Sequence, residues 1–376
     1  MHIYSITSAS LVVGALASTY QLPPTPGPFP VGTVSLELVD DSRIDPLAPS
    51  PQNRELMISL FYPTSVTAVH DKNISLAPAF SPQTAEIFDN YAGVPTGTAA
   101  SIISRSYLNA PLVDSELPIL IFGHGLGGTR LIYTAQVESL ASQGWIVVAV
   151  DHTYDAIIVE FPDGRLVPSN VPADPDLNYV ELVLETRVAD VKFVLDSLKN
   201  STTLGKIPGL ENCNTKLKTD TAGIFGHSLG GATAAQAMAN YSTFTCGANF
   251  DGSMFGPVVD LGLEKPFVQI AAQNHTREND ATWAEFWEHL DSFKRQFNVN
   301  GTVHVSFSDL TVYRDLLGDK FPMEEADLYG SIAGERLLQI ETDFMDAFFG
   351  FCMKGQDAGR LDQLVDSKFP EVFVGS

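Results

Sequence analysis

The sequence predicts an α/β fold with a mainly parallel central sheet flanked by helices and with antiparallel strands near its N-terminus. Short apolar runs recur at mostly helix-length intervals, and two early segments alternate apolar and polar residues. A third strand-like run passes through a glycine-flanked serine into an alanine-rich stretch. Continuous apolar runs mark strands buried on both faces, whereas alternation marks a strand with one solvated face.

In chain order, residues 31–38 and 55–62 alternate, the second ending before Pro63, and are expected to pair antiparallel. Residues 118–122, 145–150, 222–225, 248–250, 267–271 and 303–305 supply the strands of a parallel sheet. Between them, residues 179–198 place Val183, Val188, Val191, Val194, Leu195 and Leu198 at helical spacing, a helix read as purely structural. Residues 231–238 are rich in Ala, the best helix former, and residues 279–297 also read as helix. The proline-containing stretch 155–178 reads as a long loop over the carboxyl ends of the strands, bordering a substrate pocket. No repeat or linker divides the chain, so residues 18–376 are expected to form one domain.

Residues 1–17 run from a weakly polar start through an apolar stretch to Ala15-Leu16-Ala17, which predicts a cleaved secretory signal. That stretch is too short to span a bilayer, and no other segment has the ~18 uninterrupted apolar residues required. Sequons at Asn73, Asn200, Asn240, Asn274 and Asn300 suit a glycosylated secreted protein. Of the three cysteines, Cys213 precedes the serine-bearing strand and Cys246 the next, so both are expected at one sheet end and able to pair, leaving Cys352 free. The formal net charge of −23 argues against nucleic acid and against polybasic attraction to anionic membranes.

The chemistry centres on Gly226-His227-Ser228-Leu229-Gly230. A G-x-S-x-G between strand and helix predicts a nucleophile elbow, and with it the α/β-hydrolase fold. Such a serine needs a base and an acid, in the chain order Ser, acid, His. Three histidines follow Ser228. His304, at the last strand-like run, is preferred to His275 and to His289, which sits inside a helical stretch. The acid is Asp251, at a strand tip before Gly252, or Asp280; position favours Asp251. The oxyanion amides are expected from Leu229 and, in the glycine loop 123–128, from Leu126. Gly123, Gly125 and Gly128, with Asp151 after the next strand, also match a dinucleotide fingerprint, but the His124 ring would crowd a pyrophosphate turn. There is no H-E-x-x-H, C-x-x-C or EF-hand pattern, so metal independence is expected, with no cofactor.

With these residues in place, the chain resembles the secreted and type II intracellular platelet-activating factor acetylhydrolases, serine esterases of the calcium-independent phospholipase A2 type. Phe61-Tyr62-Pro63 is similar to that family's Tyr-Tyr-Pro strand end, and residues 123–128 to its His-Gly-Leu-Gly oxyanion loop. Residues 141–145, with Asp151-His152, resemble its Ser-x-Gly-aromatic strand ending in acid-His, and residues 226–231 its elbow. Phe250-Asp251-Gly252-Ser253-Met254 resembles the Leu-Asp-x-x-Met segment that carries its acid, although Ser253 stands where an aromatic is more usual. Residues 301–309 are similar to its Ser-Val-His-x-x-Phe-x-Asp-Phe segment, which carries the base. The resemblance spans residues 55–310 and implies Ser228, Asp251 and His304 as the triad, which strengthens Asp251 over Asp280. It also implies a small-molecule or lipid ester substrate, specifically a phospholipid with a short sn-2 acyl chain, and at most weak contact with a lipid surface. A broad carboxylesterase, lipase or polyesterase is the alternative within the class, and a catalytically silent binding fold the alternative outside it.

Overall fold

A computed structural model describes residues 19–67, 74–211, 216–322 and 328–375; the expected signal segment 1–17, Asn73 and Cys213 lie outside the described residues. The strand Val31–Ile44 pairs antiparallel with Asn53–Pro63, which pairs antiparallel with Ile146–His152. The sheet then continues through Pro118–Gly123, Lys218–His227, Phe244–Phe250, Phe267–Ala272 and Lys294–Val299, every neighbouring pair being parallel. Val372–Val374 closes that edge antiparallel.

Ile146–His152 and Phe267–Ala272 are buried at every position, so both faces of the sheet must be covered. The helices Leu177–Ser197 and Leu229–Asn240 cover one face, where Val183, Val191 and Ala235 pack with Ile121 and Val148. Thr134–Ala141 and Gly334–Lys354 cover the other, where Val137, Phe344 and Phe348 pack with Leu120 and Val147. Consecutive strand residues thus feed opposite layers, as the two-residue strand period requires. This is the α/β-hydrolase arrangement, and the carboxyl ends of the parallel strands meet beside Ser228.

Some expected elements differ. Residues 303–305 form no strand: the last parallel strand is Lys294–Val299, and His304 opens the 3₁₀ turn His304–Phe307. The helix expected over 279–297 is Ala281–Glu288. Periodicity misleads here because this outer strand is rich in polar side chains, which find partners of their own: Arg295 pairs with Asp362, and Gln296 accepts from Arg277. The stretch 155–178 contains a small hairpin, Ile158–Glu160 against Leu166–Pro168.

The cysteine pairing is corrected. Cys246 is bonded to Cys352, with Cα atoms 6.5 Å apart, and not to Cys213. Position along the strand had suggested Cys213, but the face decides: Cys246 points into the layer occupied by Phe348 and Phe349 of Gly334–Lys354, the helix that carries Cys352. Among the described residues no helix is long and apolar enough to cross a membrane. The four described sequon asparagines, Asn200, Asn240, Asn274 and Asn300, are all exposed.

Candidate active site

Ser228 sits between Lys218–His227 and Leu229–Asn240 with φ 56° and ψ −125°, a conformation that costs a non-glycine residue free energy. The surrounding backbone holds it there. The Ser228 amide donates to the Phe250 carbonyl at 2.8 Å, and the amides of Gly231 and Ala232 donate to the Ser228 carbonyl at 2.9 and 3.3 Å. The flanking glycines are required by close approach. A Cβ on Gly226 would stand 2.5 Å from the Gly123 carbonyl oxygen, and one on Gly230 closer still to the same atom. Elbow and glycine loop are therefore packed backbone to backbone.

His304 Nε2 lies 3.0 Å from Ser228 Oγ, and His304 Nδ1 lies 2.7 Å from Asp251 Oδ2. Three separate chain segments converge in these contacts. Asp251 follows Phe244–Phe250 at a positive φ of 56°, which turns its carboxylate from the strand direction towards His304. The carboxylate is buried, whereas half of the His304 side chain is exposed, so a reactant can reach the imidazole while the carboxylate stays dry. Burial pushes the Asp251 carboxyl up, but donors from His275, His304 and the Ala272 amide outweigh it and hold the group down at about 2. Asp251 is therefore ionised over the whole neutral range.

The glycine loop 123–128 is ordered by its own amides. Gly125 N–H donates to Tyr133 Oη at 3.3 Å, Gly127 N–H to Asp155 at 3.2 Å, and Gly128 N–H to the Gly125 carbonyl at 3.0 Å. Leu126 N–H, between them, has no acceptor among the described residues, and neither has Leu229 N–H at the start of the elbow helix. A Cβ on Gly125 would come within 3.2 Å of Ser228 Cβ, so this loop lies against the serine.

His227 ties these parts together. Its Nε2–H donates to the His304 carbonyl at 2.9 Å, so its Nδ1 accepts from Tyr133 Oη at 2.8 Å. Burial, and then the nearby His304, push the proton affinity of His227 down to about 3, which keeps the ring neutral and fixes this tautomer. A directional chain thus runs from Gly125 N–H through Tyr133 and His227 to the His304 carbonyl. Arg187 braces the loop from below: its guanidinium donates to the carbonyls of His124 at 2.5 Å and Gly125 at 3.2 Å and pairs with Asp155.

Sequence reasoning missed Tyr133, His227, Asp155 and Arg187. Arg187 carried a readable signal, since it falls four residues from both Val183 and Val191, on the buried stripe of a helix read as purely structural. A charged group on a buried stripe requires a partner. The residues of the dinucleotide-like pattern are otherwise engaged: Asp151 accepts from the Arg130 amide at 2.6 Å and pairs with the Arg130 side chain, and its neighbour His152 donates to Asp190. His289 lies apart from the site and bonds the Val259 carbonyl. Asp280 does not touch His304; it reaches Asp251 only through His275. No three His, Cys, Asp or Glu side chains among the described residues converge in a way that could hold a metal ion.

The family described as platelet-activating factor acetylhydrolase, isoform II, matches residues 14–163 and 186–368. A probable 1-alkyl-2-acetylglycerophosphocholine esterase of Arthroderma benhamiae is 29% identical over 97% of this chain and 96% of its own length. The platelet-activating factor acetylhydrolase of Gallus gallus is 25% identical, covering 77% of this chain and 74% of its own. Among solved structures, a ferulic acid esterase from Streptomyces cinnamoneus superposes with a TM-score of 0.81 at 29% identity, covering 95% of this chain and 99% of that one.

Proposed function

Because the chain belongs to the platelet-activating factor acetylhydrolase isoform II family, we propose that it is a serine esterase that cleaves carboxylic esters through an acyl-enzyme. The observation that carries this reading is the unbroken contact from Ser228 through His304 to Asp251 beside two amides that have no acceptor among the described residues. Ser228 Oγ attacks the ester carbonyl while its proton passes to His304 Nε2. Asp251 keeps the tautomer with the proton on Nδ1 and offsets the positive charge that develops on the ring. The tetrahedral oxygen takes the N–H groups of Leu126 and Leu229. His304 then protonates the leaving alkoxide; water next gives its proton to the same nitrogen as it attacks the acyl carbon, and His304 returns that proton to Ser228 Oγ as the acid departs. Protonated His304 has no lone pair for the serine proton, so activity falls on acidification.

For substrate, we favour a phospholipid-like ester with a short sn-2 acyl chain. The names of the family and of the Arthroderma relative support this. An apolar slot lined by Ile87, Phe88, Ile132, Ile157 and Leu310 borders Gly127 and Gly128, which suits a short acyl or alkyl group. The ferulic acid esterase neighbour favours a second reading, a broad carboxylesterase of simple esters. Matched acetyl, butyryl and long-chain esters, made on glycerophosphocholine and on a simple phenol, separate the two. The first reading predicts the highest kcat/KM for short sn-2 chains on the phospholipid. Turnover of the phenyl esters alone would favour the second. We further propose one secreted domain over residues 18–376; the pattern of residues 1–17, the disulfide and the four exposed sequons support it.

A further inference from the structure

We propose that His275 and Asp280 form an outer positioning pair, in which His275, bonded at both ring nitrogens between Asp251 and Asp280, fixes the Asp251 carboxylate in the plane that His304 needs. This rests on the reading of Ser228, His304 and Asp251 as the triad. His275 Nδ1 lies 2.9 Å from Asp251 Oδ1, the oxygen not used by His304, and His275 Nε2 lies 2.9 Å from Asp280 Oδ2. The ring stacks on Trp283 with centroids 4.1 Å apart. Asp280 is a rigid anchor, since it caps Ala281–Glu288 through the amides of Thr282 and Trp283 and also accepts from the hydroxyls of Ser253 and Thr282. The start of a helix is thereby tied to the plane of a carboxylate at a strand tip.

Two carboxylate partners need two N–H donors, and only the imidazolium has both. Burial opposes that charge, but the bonds to Asp251 and Asp280 outweigh it and raise the proton affinity of His275 to about 9. The charged groups facing the ring are Asp251 from the strand tip and Asp280 from the helix start. Arg277, in the same turn, is directed to Gln296, Asn298 donates to the backbone carbonyls of Ala272 and His275, and His304 lies beyond Asp251, with neutral His227 behind it. Loss of the His275 proton sets a ring lone pair against one of the two carboxylates. Asp251 is then held less firmly, and activity declines above about pH 9.

The test is the pH profile of kcat and KM for wild type, His275→Ala, His275→Asn and Asp280→Asn, each checked for folding by circular dichroism. His275→Ala should lower kcat by about 10–100-fold, the range for losing a hydrogen bond to a charged group, with KM little changed. His275→Asn keeps a donor near the Nδ1 position and cannot titrate, so it should restore most of kcat and abolish the alkaline decline. Wild-type kcat in His275→Ala, or an alkaline decline that persists in His275→Asn, would overturn the proposal. A wild-type protein without esterase activity, or a Ser228→Ala variant that keeps it, would instead overturn the triad on which the proposal rests.

Discussion

Asp251→Asn is the perturbation whose magnitude follows most directly from the structure. The carboxylate accepts three N–H groups: His304 at 2.7 Å on Oδ2, and Ala272 at 2.6 Å and His275 at 2.9 Å on Oδ1. An amide has one oxygen and one NH2 to place in the same two positions. If its oxygen keeps Ala272 and His275, the NH2 faces His304 Nδ1 and drives the ring to the tautomer with its proton on Nε2, pointing at Ser228. The opposite flip sets the NH2 against two donors at once and is the costlier arrangement. The first orientation therefore prevails, and the serine proton has no acceptor. Losing the productive tautomer in such a triad costs about 10⁴-fold in kcat, equivalent to about 5.5 kcal/mol of barrier. Initial rates on 4-nitrophenyl acetate, corrected for the Ser228→Ala background, measure this, and near-ultraviolet circular dichroism checks that the fold survives. A folded Asp251→Asn protein retaining more than about a tenth of wild-type kcat would refute the reasoning.

Three further outcomes are expected. Gly226→Ala forces a methyl towards the Gly123 carbonyl, so a loss of about 1–3 kcal/mol in urea unfolding should accompany a drop in kcat; unaltered stability and rate would contradict the close approach. Cys352→Ser opens a cross-link spanning 106 residues and should cost about 2–5 kcal/mol in thermal melts, while kcat at 25 °C stays unchanged because Cys246 lies towards the opposite end of its strand from Asp251. Thermal stability should decline from about pH 7 to pH 9, above the range in which the buried neutral rings of His124 and His227, held down at about 4 and about 3, favour the folded chain as the pH rises. Burial raises the carboxyls of Glu138 and Asp309 to about 8 and about 7, and His275 is held at about 9, so all three bind their protons more tightly in the folded chain than in the unfolded one. Their stabilisation is present below the unfolded values and is lost as the pH climbs through the folded ones. Asp251 and Asp280, held low, act only at strongly acidic pH. A melting temperature that rises steadily from pH 7 to pH 9 would contradict this.

The parts legible in the sequence are those where a local rule and a tertiary demand coincide. The elbow could be read because its strand, its glycines and its alanine-rich helix are contiguous, and the buried strands because both faces are apolar. Strand Lys294–Val299 was hidden because its polar residues are satisfied by partners distant in sequence, such as Asp362. Cys352 was misplaced because pairing depends on the face of a strand and on a helix more than 100 residues later. The bracing of the site by Tyr133 and His227 was invisible for the same reason, since each acts through backbone groups that only the fold brings near, whereas Arg187 left a trace as a charge on a buried helical stripe. Asp280 shows the limit in another form. Position alone made it a rival acid, and the fold places His275 between it and Asp251.

The central claim is that Ser228 is a nucleophile activated by His304. Treatment of the intact protein with a fluorophosphonate, followed by peptide mapping, addresses it without reference to any substrate. A single adduct on Ser228, absent in Ser228→Ala and formed far more slowly in His304→Ala, is the predicted result. A folded wild-type protein that takes no label, or that takes it on another serine, would contradict the account.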